Sequence, residues 1–433
     1  MLYHAYELNH AAMAPFRELV EFNKRLLESP YNPASYTWLG RTGAAACDLF
    51  ESVTRRYAKP EWQLHFTELN NTQIAVKKRV VWQKPFCRLL HFERNREDLR
   101  RAAGNVVHPR VLLVAPLSGH YATLLRRTVE AFLPEHEVYV SDWADARQVP
   151  LSKGRFDLND YIDYVIEMLD VLGPGANVVG ICQPGPPILA AVSLMSAEDH
   201  TSLPATMTFM GSPIDTRRSP TLPNKVAMER RYEWFRDNMI YDVPWPNRGV
   251  MRRVYPGFLQ LSGFITMNQN RHMMAHRQYF EHLVEGDCDS VQKHREFYDE
   301  YLAVLDLTEE FYLQTIRDVF QEHKLAKGEM EHHGQLVDPG KITRVALMTV
   351  EGEKDDISGI GQTQAAHDLC PNIPDPMQLD YVQPGVGHYG VFSGSRFRSE
   401  IHPRMCEFMR RFFTESEEKK LQQARPQIVR PTA

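Results

Sequence analysis

The stretch that decides the fold is Asn177-Val178-Val179-Gly180-Ile181-Cys182-Gln183-Pro184-Gly185. It begins with an apolar run typical of a buried strand, and a helical pattern starts near Pro186. A sharp turn between a strand and a helix that exposes one reactive side chain is a nucleophile elbow. The usual reactive residue is Ser, whereas here it is Cys182. The stretch therefore predicts acyl transfer through a thioester.

Glycines near Cys182 distinguish it from the other cysteines. Gly180 leaves room for close packing at the turn, but Gly185 stands one place later than G-x-S-x-G requires, and Pro184 takes the expected glycine position. This departure implies an altered turn. We expect the remaining cysteines to be small buried hydrophobic residues. They are Cys47, Cys87, Cys288, Cys370 and Cys406.

Composition and charge exclude several classes of protein. The chain has 433 residues, 43% of them hydrophobic, and a formal charge of −5 from 50 Lys and Arg against 55 Asp and Glu. This balance does not favour a general binder of nucleic acid or of anionic membranes. The sequence contains no apolar run of about 18 residues, so we expect no transmembrane anchor. Residues 1–9 lack the pattern of a secretory signal.

The spacing of the cysteines bears on the redox compartment. They are scattered and form no C-x-x-C pair, which argues against a zinc site or a disulfide framework. We therefore expect a reducing cytoplasm, in which a catalytic thiol would stay usable.

Strands and helices alternate along the middle of the chain. Two β-rich runs, 73–82 and 86–92, predict a hairpin. Apolar runs then predict central strands, separated by helices at 158–172 and 188–195; the strands are 110–114, 136–140, 177–179 and 206–210. Such alternation indicates an α/β fold with a doubly wound, mostly parallel sheet. Together with the elbow, it predicts the α/β-hydrolase fold.

The same patterns divide the chain into regions. Residues 1–60 are predicted to be an N-terminal helical extension. Residues 61–215 and 339–414 are the predicted α/β-hydrolase core, because the alternation stops near 215 and resumes at 343. The aromatic and Met-rich residues 216–338 predict a helical cap inserted above the sheet. The polar tail 415–433 is expected to be disordered.

Three residues follow one another in the order nucleophile, acid, histidine that the α/β-hydrolase layout requires. Cys182, Asp355 and His388 each follow a predicted strand, and open α/β sheets place their sites at the carboxyl ends of strands. We prefer Asp355 to its neighbour Asp356 as the acid, because one residue and then an apolar anchor, Ile357, commonly follow the acid.

An oxyanion hole needs backbone N–H groups. We expect one from Gln183, which follows the nucleophile, and one from the loop after the first parallel strand. In that loop Leu117 is the first choice and Ser118 the next. His120 and Tyr121, at the start of the next helix, are candidates for lining the site; a simple helix start is the competing interpretation.

Two other motifs do not predict bound groups. Glu331-His332-His333 has no matching ligands at metal spacing, so we expect a solvated surface turn and no metal site. Gly359-Ile360-Gly361 lacks the rest of a dinucleotide fingerprint. We therefore predict no bound cofactor.

Four stretches resemble the intracellular poly(3-hydroxybutyrate) depolymerases of bacteria: Val178–Pro184, Glu351–Gly359, Gly385–Gly394 and Val138–Arg147. The similarity spans about residues 1–414. It implies a cytoplasmic enzyme, associated with storage granules, that cleaves the esters of the amorphous polymer. It also implies a Cys–Asp–His triad, which maps onto the three residues already chosen. Coenzyme A could replace water as the acyl acceptor.

Three different functions also fit these residues. Polyhydroxyalkanoate synthases carry Cys in an elbow too, with the box G-x-C-x-G-G, but Pro184 replaces the first glycine of its terminal pair here. This difference favours degradation over synthesis. The second function is that of a non-catalytic granule protein, and the third is that of a thiol esterase acting on small substrates.

Overall fold

The computed structural model describes residues 2–413, and its centre is one nine-stranded sheet with the order β1-β2-β3-β5-β4-β6-β7-β13-β14. The strands at the amino-terminal edge pair antiparallel, and those from β5 to β14 pair parallel. The strands of this sheet are β1 Phe66–Leu69, β2 Thr72–Lys84, β3 Cys87–Arg94, β4 Arg110–Val114, β5 Glu137–Trp143, β6 Asn177–Ile181, β7 Thr206–Met210, β13 Ala346–Gly352 and β14 Gln378–Gln383. This is the predicted doubly wound α/β-hydrolase sheet.

Burial explains why the central strands read as continuous apolar runs. Every residue of β4, β6, β7 and β13 is buried, because helices cover both faces of a parallel sheet. The helices of this part are α4 Arg96–Ala103, α5 Arg126–Phe132, α6 Leu158–Leu172, α7 Gly185–Ala197, α15 Ala365–Leu369, α16 His388–Phe392 and α17 His402–Arg411. Asp157 and Asp160 begin α6 with a capping box.

Between β7 and β13 the chain is mainly helical. Its helices are α8 Leu222–Glu229, α9 Tyr232–Met239, α10 Gly257–Met267, α11 Gln269–Glu285, α12 Cys288–Tyr301, α13 Glu309–Thr315 and α14 Lys324–Lys327. Short strands accompany them: β8 Tyr241–Asp242, β9 Arg253–Tyr255, β10 Leu307–Thr308, β11 Glu331–His332 and β12 Gln335–Leu336. We propose that this region acts as the cap predicted for residues 216–338.

Three helices precede the sheet: α1 Leu2–Ala12, α2 Ala14–Glu28 and α3 Trp38–Thr54. The Tyr3 hydroxyl donates a hydrogen bond of 2.5 Å to Asp306 Oδ2, and Tyr6 stacks on Phe258 of α10. Helix α1 therefore packs against the segment between β7 and β13. Within residues 2–413 no helix is long and apolar enough to cross a membrane. The tail predicted at 415–433 lies outside the described residues.

The cysteines away from the elbow are partly as predicted. Cys87, Cys370 and Cys406 are buried, and Cys47 is half-buried. The prediction is wrong for Cys288, which is exposed because it is the first residue of α12, directly after the helix-capping Asp287.

Candidate active site

Cys182 occupies the turn between β6 and α7 in a left-handed conformation, with φ of +66°. Few non-glycine residues adopt this conformation, and those that do are concentrated at functional sites. Two backbone hydrogen bonds hold the turn: Cys182 N–H donates to Met210 O at 2.8 Å, and Gly185 N–H donates to Cys182 O at 3.3 Å. The geometry is that of a nucleophile elbow.

The two glycines of the elbow permit close packing of strand and helix. A Cβ on Gly180 would lie 2.7 Å from Ile188 Cδ1, and one on Gly185 would lie 2.5 Å from Ser212 Cβ. Pro184, with φ of −60°, immediately precedes the first residue of α7. The start of a helix tolerates proline well. Gly185, although it stands one place later than the G-x-S-x-G pattern requires, therefore allows the close approach of α7 to Ser212.

Asp355 and His388 form a buried pair. His388 Nδ1–H donates to Asp355 Oδ2 at 2.8 Å, and the other carboxylate oxygen accepts from the N–H groups of Ile357 at 2.9 Å and Ser358 at 2.8 Å. The neighbouring Asp356 is exposed to solvent. The structure thus brings Asp355, and not Asp356, to the imidazole.

His388 interacts with both Cys182 and Asp355. Burial lowers the pKa of its imidazole, but the Cys182 thiolate and the Asp355 carboxylate raise it, and the net pKa lies well above the ordinary value. Both groups also act on it through hydrogen bonding. The imidazolium form of His388 is therefore stabilised beside the sulfur.

Gly211, which the sequence patterns did not single out, makes room for this pair. Its φ is +55°, and a Cβ there would lie 3.1 Å from both Asp355 Oδ2 and His388 Cε1. In the sequence, only its position directly after the predicted strand at 206–210 could have drawn attention to Gly211. The need for a glycine there arises from contacts with Asp355 and His388, which lie far along the chain.

The expected second oxyanion donor is engaged within the protein. Leu117 N–H donates to Oε1 of Gln183 at 3.2 Å, so the side chain of the residue after Cys182 occupies the predicted donor. The Gln183 side chain is buried and lines a cavity that also reaches Cys182. In this structure the predicted donor is therefore not free.

The loop that carries Leu117 is tied to the segment after α12. Leu305 N–H donates to Gly119 O at 2.7 Å, and His120 Nε2–H donates to Tyr301 O at 3.0 Å. Burial lowers the pKa of His120 to about 4, so its imidazole is neutral. His120 thus holds the loop, and its lowered pKa makes it a weak base.

Two of the three residues predicted to line the site do so. Ser118 and His120 line the cavity above Cys182. Tyr121 does not, and that prediction is wrong: its hydroxyl donates to Asp145 Oδ2 at 3.3 Å, and Asp145 in turn binds Arg147. The hydrogen bond to the buried Asp145–Arg147 ion pair holds the Tyr121 side chain outside the cavity lining.

The cavity above Cys182 has a volume of about 210 Å³. Most of its wall is apolar, and residues from between β7 and β13 supply much of it: Tyr255, Phe264, Leu307, Phe311, Tyr312, Ile316 and Phe320. His388 and Gln183 provide polar groups beside the sulfur. The cavity suits an apolar acyl group whose carbonyl points toward Cys182.

Comparisons with known proteins agree with this architecture. Residues 211–413 match the family model described as PHB de-polymerase C-terminus. The poly(3-hydroxyalkanoate) polymerase subunit PhaC of Haloarcula marismortui is 22% identical over 94% of this chain and 82% of its own length. The corresponding subunit of Haloferax mediterranei is 21% identical over 78% of this chain and 65% of its own length.

Solved structures share smaller similarities. A soluble variant of monoglyceride lipase from Saccharomyces cerevisiae is 14% identical, with a TM-score of 0.44 over 82% of this chain and 97% of that one. A lipase structure from Acinetobacter baumannii is 10% identical, with a TM-score of 0.41 over 78% of this chain and 93% of that one. The fold assignment rests on the sheet order and the elbow. The matches above support the resemblance to proteins of poly(3-hydroxybutyrate) metabolism: residues 211–413 are similar to the depolymerase family model, and most of the chain is similar to a polymerase subunit.

Proposed function

We propose that this chain is a depolymerase that cleaves ester bonds of amorphous poly(3-hydroxybutyrate) through an acyl thioester on Cys182. The observation that carries the proposal is the strained thiol elbow beneath an apolar cavity, beside the Asp355–His388 pair. The family match over residues 211–413 supports the substrate.

In the first step His388 holds the proton of Cys182, and Asp355 orients the imidazole. The thiolate attacks the ester carbonyl carbon and forms a tetrahedral oxyanion. The N–H groups of Gln183 and Leu117 would stabilise it, once the Gln183 carboxamide has released the latter. Collapse of this intermediate breaks the C–O bond, and His388 protonates the leaving alkoxide.

The second step removes the acyl group from the sulfur. Water gives its proton to His388 and attacks the thioester, which releases the free acid and the Cys182 thiolate. Coenzyme A thiol could replace water, because thioester exchange changes the bond energies little; the product would be 3-hydroxybutyryl-CoA. The partner in either case is the surface of a cytoplasmic polymer granule.

A second candidate is a poly(3-hydroxyalkanoate) polymerase. The curated relatives carry that description and support this candidate more directly than depolymerisation. The same thioester would form from hydroxyacyl-CoA and pass to the growing chain. Pro184, which interrupts the glycine pair of the synthase box, supports the degradative direction instead.

One experiment separates these functions. Purified protein is incubated with amorphous granules, with and without coenzyme A, and in parallel with 3-hydroxybutyryl-CoA alone. Depolymerisation predicts release of 3-hydroxybutyrate, its oligomers or its CoA thioester, and Cys182→Ala should abolish this release. New polymer from the CoA thioester would establish the second candidate and overturn the first.

Two further outcomes of the same experiment would point to different functions. Granule binding without product would indicate a non-catalytic granule protein. Cleavage of soluble esters with none of granules would indicate a small-substrate thiol esterase.

A further inference from the structure

The hairpin of β11 and β12 presents two adjacent histidines. His333 and Gly334 form its two-residue turn, with φ of +48° and +83°, the signs that a type I′ turn requires. Val337 N–H donates to Met330 O at 2.8 Å, and both of these side chains are buried in the core. The hairpin is therefore anchored at its base.

Both imidazoles reach one carboxylate on helix α6. Nε2 of His332 lies 2.9 Å from Asp163 Oδ1, and Nε2 of His333 lies 3.1 Å from Oδ2. The three ligand atoms all lie within 4.8 Å of one another. From the sequence we expected a solvated turn here because no partner stood at metal spacing; the fold supplies Asp163 from more distant sequence.

We propose that His332, His333 and Asp163 bind a divalent transition metal ion, with Zn²⁺ as the best match. Two imidazole nitrogens and one carboxylate oxygen form a ligand set that zinc commonly uses, with water in the fourth position. Ligands roughly 2.0–2.2 Å from a tetrahedral ion stand about 3.4 Å apart. The nitrogen–oxygen separations of 2.9 and 3.1 Å, and a mutual separation of the ligand atoms within 4.8 Å, bring the three side chains close to this spacing.

Binding exchanges hydrogen bonds for metal bonds without any redox step. Each imidazole now donates Nε2–H to the carboxylate; with zinc bound, Nε2 would present its lone pair and the proton would sit on Nδ1. The ion would join the hairpin, which precedes β13, to α6, which precedes β6. These two strands lead to Asp355 and Cys182.

A plain histidine–carboxylate pair elsewhere on the surface provides the control. His200 Nδ1 lies 3.7 Å from Asp170 Oδ1, and no second imidazole meets this carboxylate in the part of the chain that the structure describes. His200→Gln removes a half-buried histidine that is paired with a carboxylate, without touching the proposed site.

The test uses untagged, chelator-treated full-length protein carrying Cys182→Ala, so that the elbow thiol cannot compete for zinc. Equilibrium dialysis against ZnCl₂ should show one saturable equivalent, and CoCl₂ should give the visible absorption of a bound tetrahedral or five-coordinate ion. His333→Gln and Asp163→Asn should each weaken zinc binding about tenfold or more. His200→Gln should leave it unchanged.

Zinc should also raise the thermal midpoint of the Cys182→Ala protein, because the ion binds the folded state preferentially. His333→Gln should remove this rise. Zinc binding that survives both substitutions at the site would place the ion elsewhere and overturn the proposal. Failure to bind zinc at concentrations up to about 100 μM would also overturn it, since no more than about 5.5 kcal/mol of binding free energy would then remain.

Discussion

Two histidine–carboxylate clusters of this protein contain the same residue types in different surroundings. In the first, the side chains of His388 and Asp355 are 6% and 0% exposed, and a thiol lies on the other side of the imidazole. In the second, His333 and Asp163 are 60% and 39% exposed, and the third partner is another imidazole. The two clusters therefore differ in burial and in the third partner, the two properties on which their proposed roles in proton transfer and metal binding depend.

The largest expected effect comes from the acid of the buried cluster. Asp355→Asn should lower the rate of product release from granules by roughly 10²–10⁴-fold, because the imidazole loses the carboxylate that orients it and stabilises its charged form. Asp356→Asn, which changes an exposed neighbour, should stay within about twofold of wild type. Initial rates of 3-hydroxybutyrate release provide the measurement. The reverse ranking would reassign the acid.

Space beside the buried cluster is the next test. Gly211→Ala should reduce the rate about tenfold or more, because its Cβ would press on both Asp355 and His388. Gly104→Ala is the matched control: its φ is +70°, and nothing lies within 4 Å of the added carbon. Both variants should lose about 1–3 kcal/mol of unfolding free energy from the left-handed backbone. If both keep full activity, the packing at Gly211 does not matter for catalysis.

The Gln183 carboxamide tests how the buried cluster meets its substrate. Gln183→Glu should lower kcat/KM on a soluble 3-hydroxybutyrate ester by about tenfold, because a carboxylate would hold Leu117 N–H more strongly and repel the oxyanion. Gln183→Ala frees that N–H and should match or exceed wild type. Equal activity of the two variants would show that the N–H of Leu117 is not used.

The smallest effect concerns stability and pH. Burial lowers the pKa of folded His388, but Cys182 and the Asp355 carboxylate raise it, and the net pKa lies above the ordinary value. The stabilisation that the raised pKa reflects is therefore fully present below the ordinary pKa near 6.5 and is lost as pH rises through the folded value. The excess stability of wild type over Asp355→Asn should therefore be larger at pH 6 than at high pH, by about 1 kcal/mol. Urea unfolding across this range measures it. A constant or rising difference would show that the Asp355 carboxylate does not raise the pKa of His388.

Sequence patterns predicted those features that depend on local periodicity or chain order. The buried strand before Cys182, the glycines around it and the order of acid and base can all be read along the chain. Gly211, the Gln183 side chain and the turning away of Tyr121 could not, because each depends on contacts between distant segments. Asp163 was missed for the same reason: its position on α6 has no motif, and only the fold brings it to the hairpin.

The hydrogen bonds that join Gly119 and His120 to the segment around Tyr301 and Leu305 have a consequence for substrate entry. This segment fixes the loop that carries Leu117 N–H and leads directly to Leu307, which lines the cavity. If the proposed ester cleavage uses this N–H, a movement that broke the two hydrogen bonds would release the loop that positions the donor. We therefore expect substrate to enter the cavity without separating these two segments.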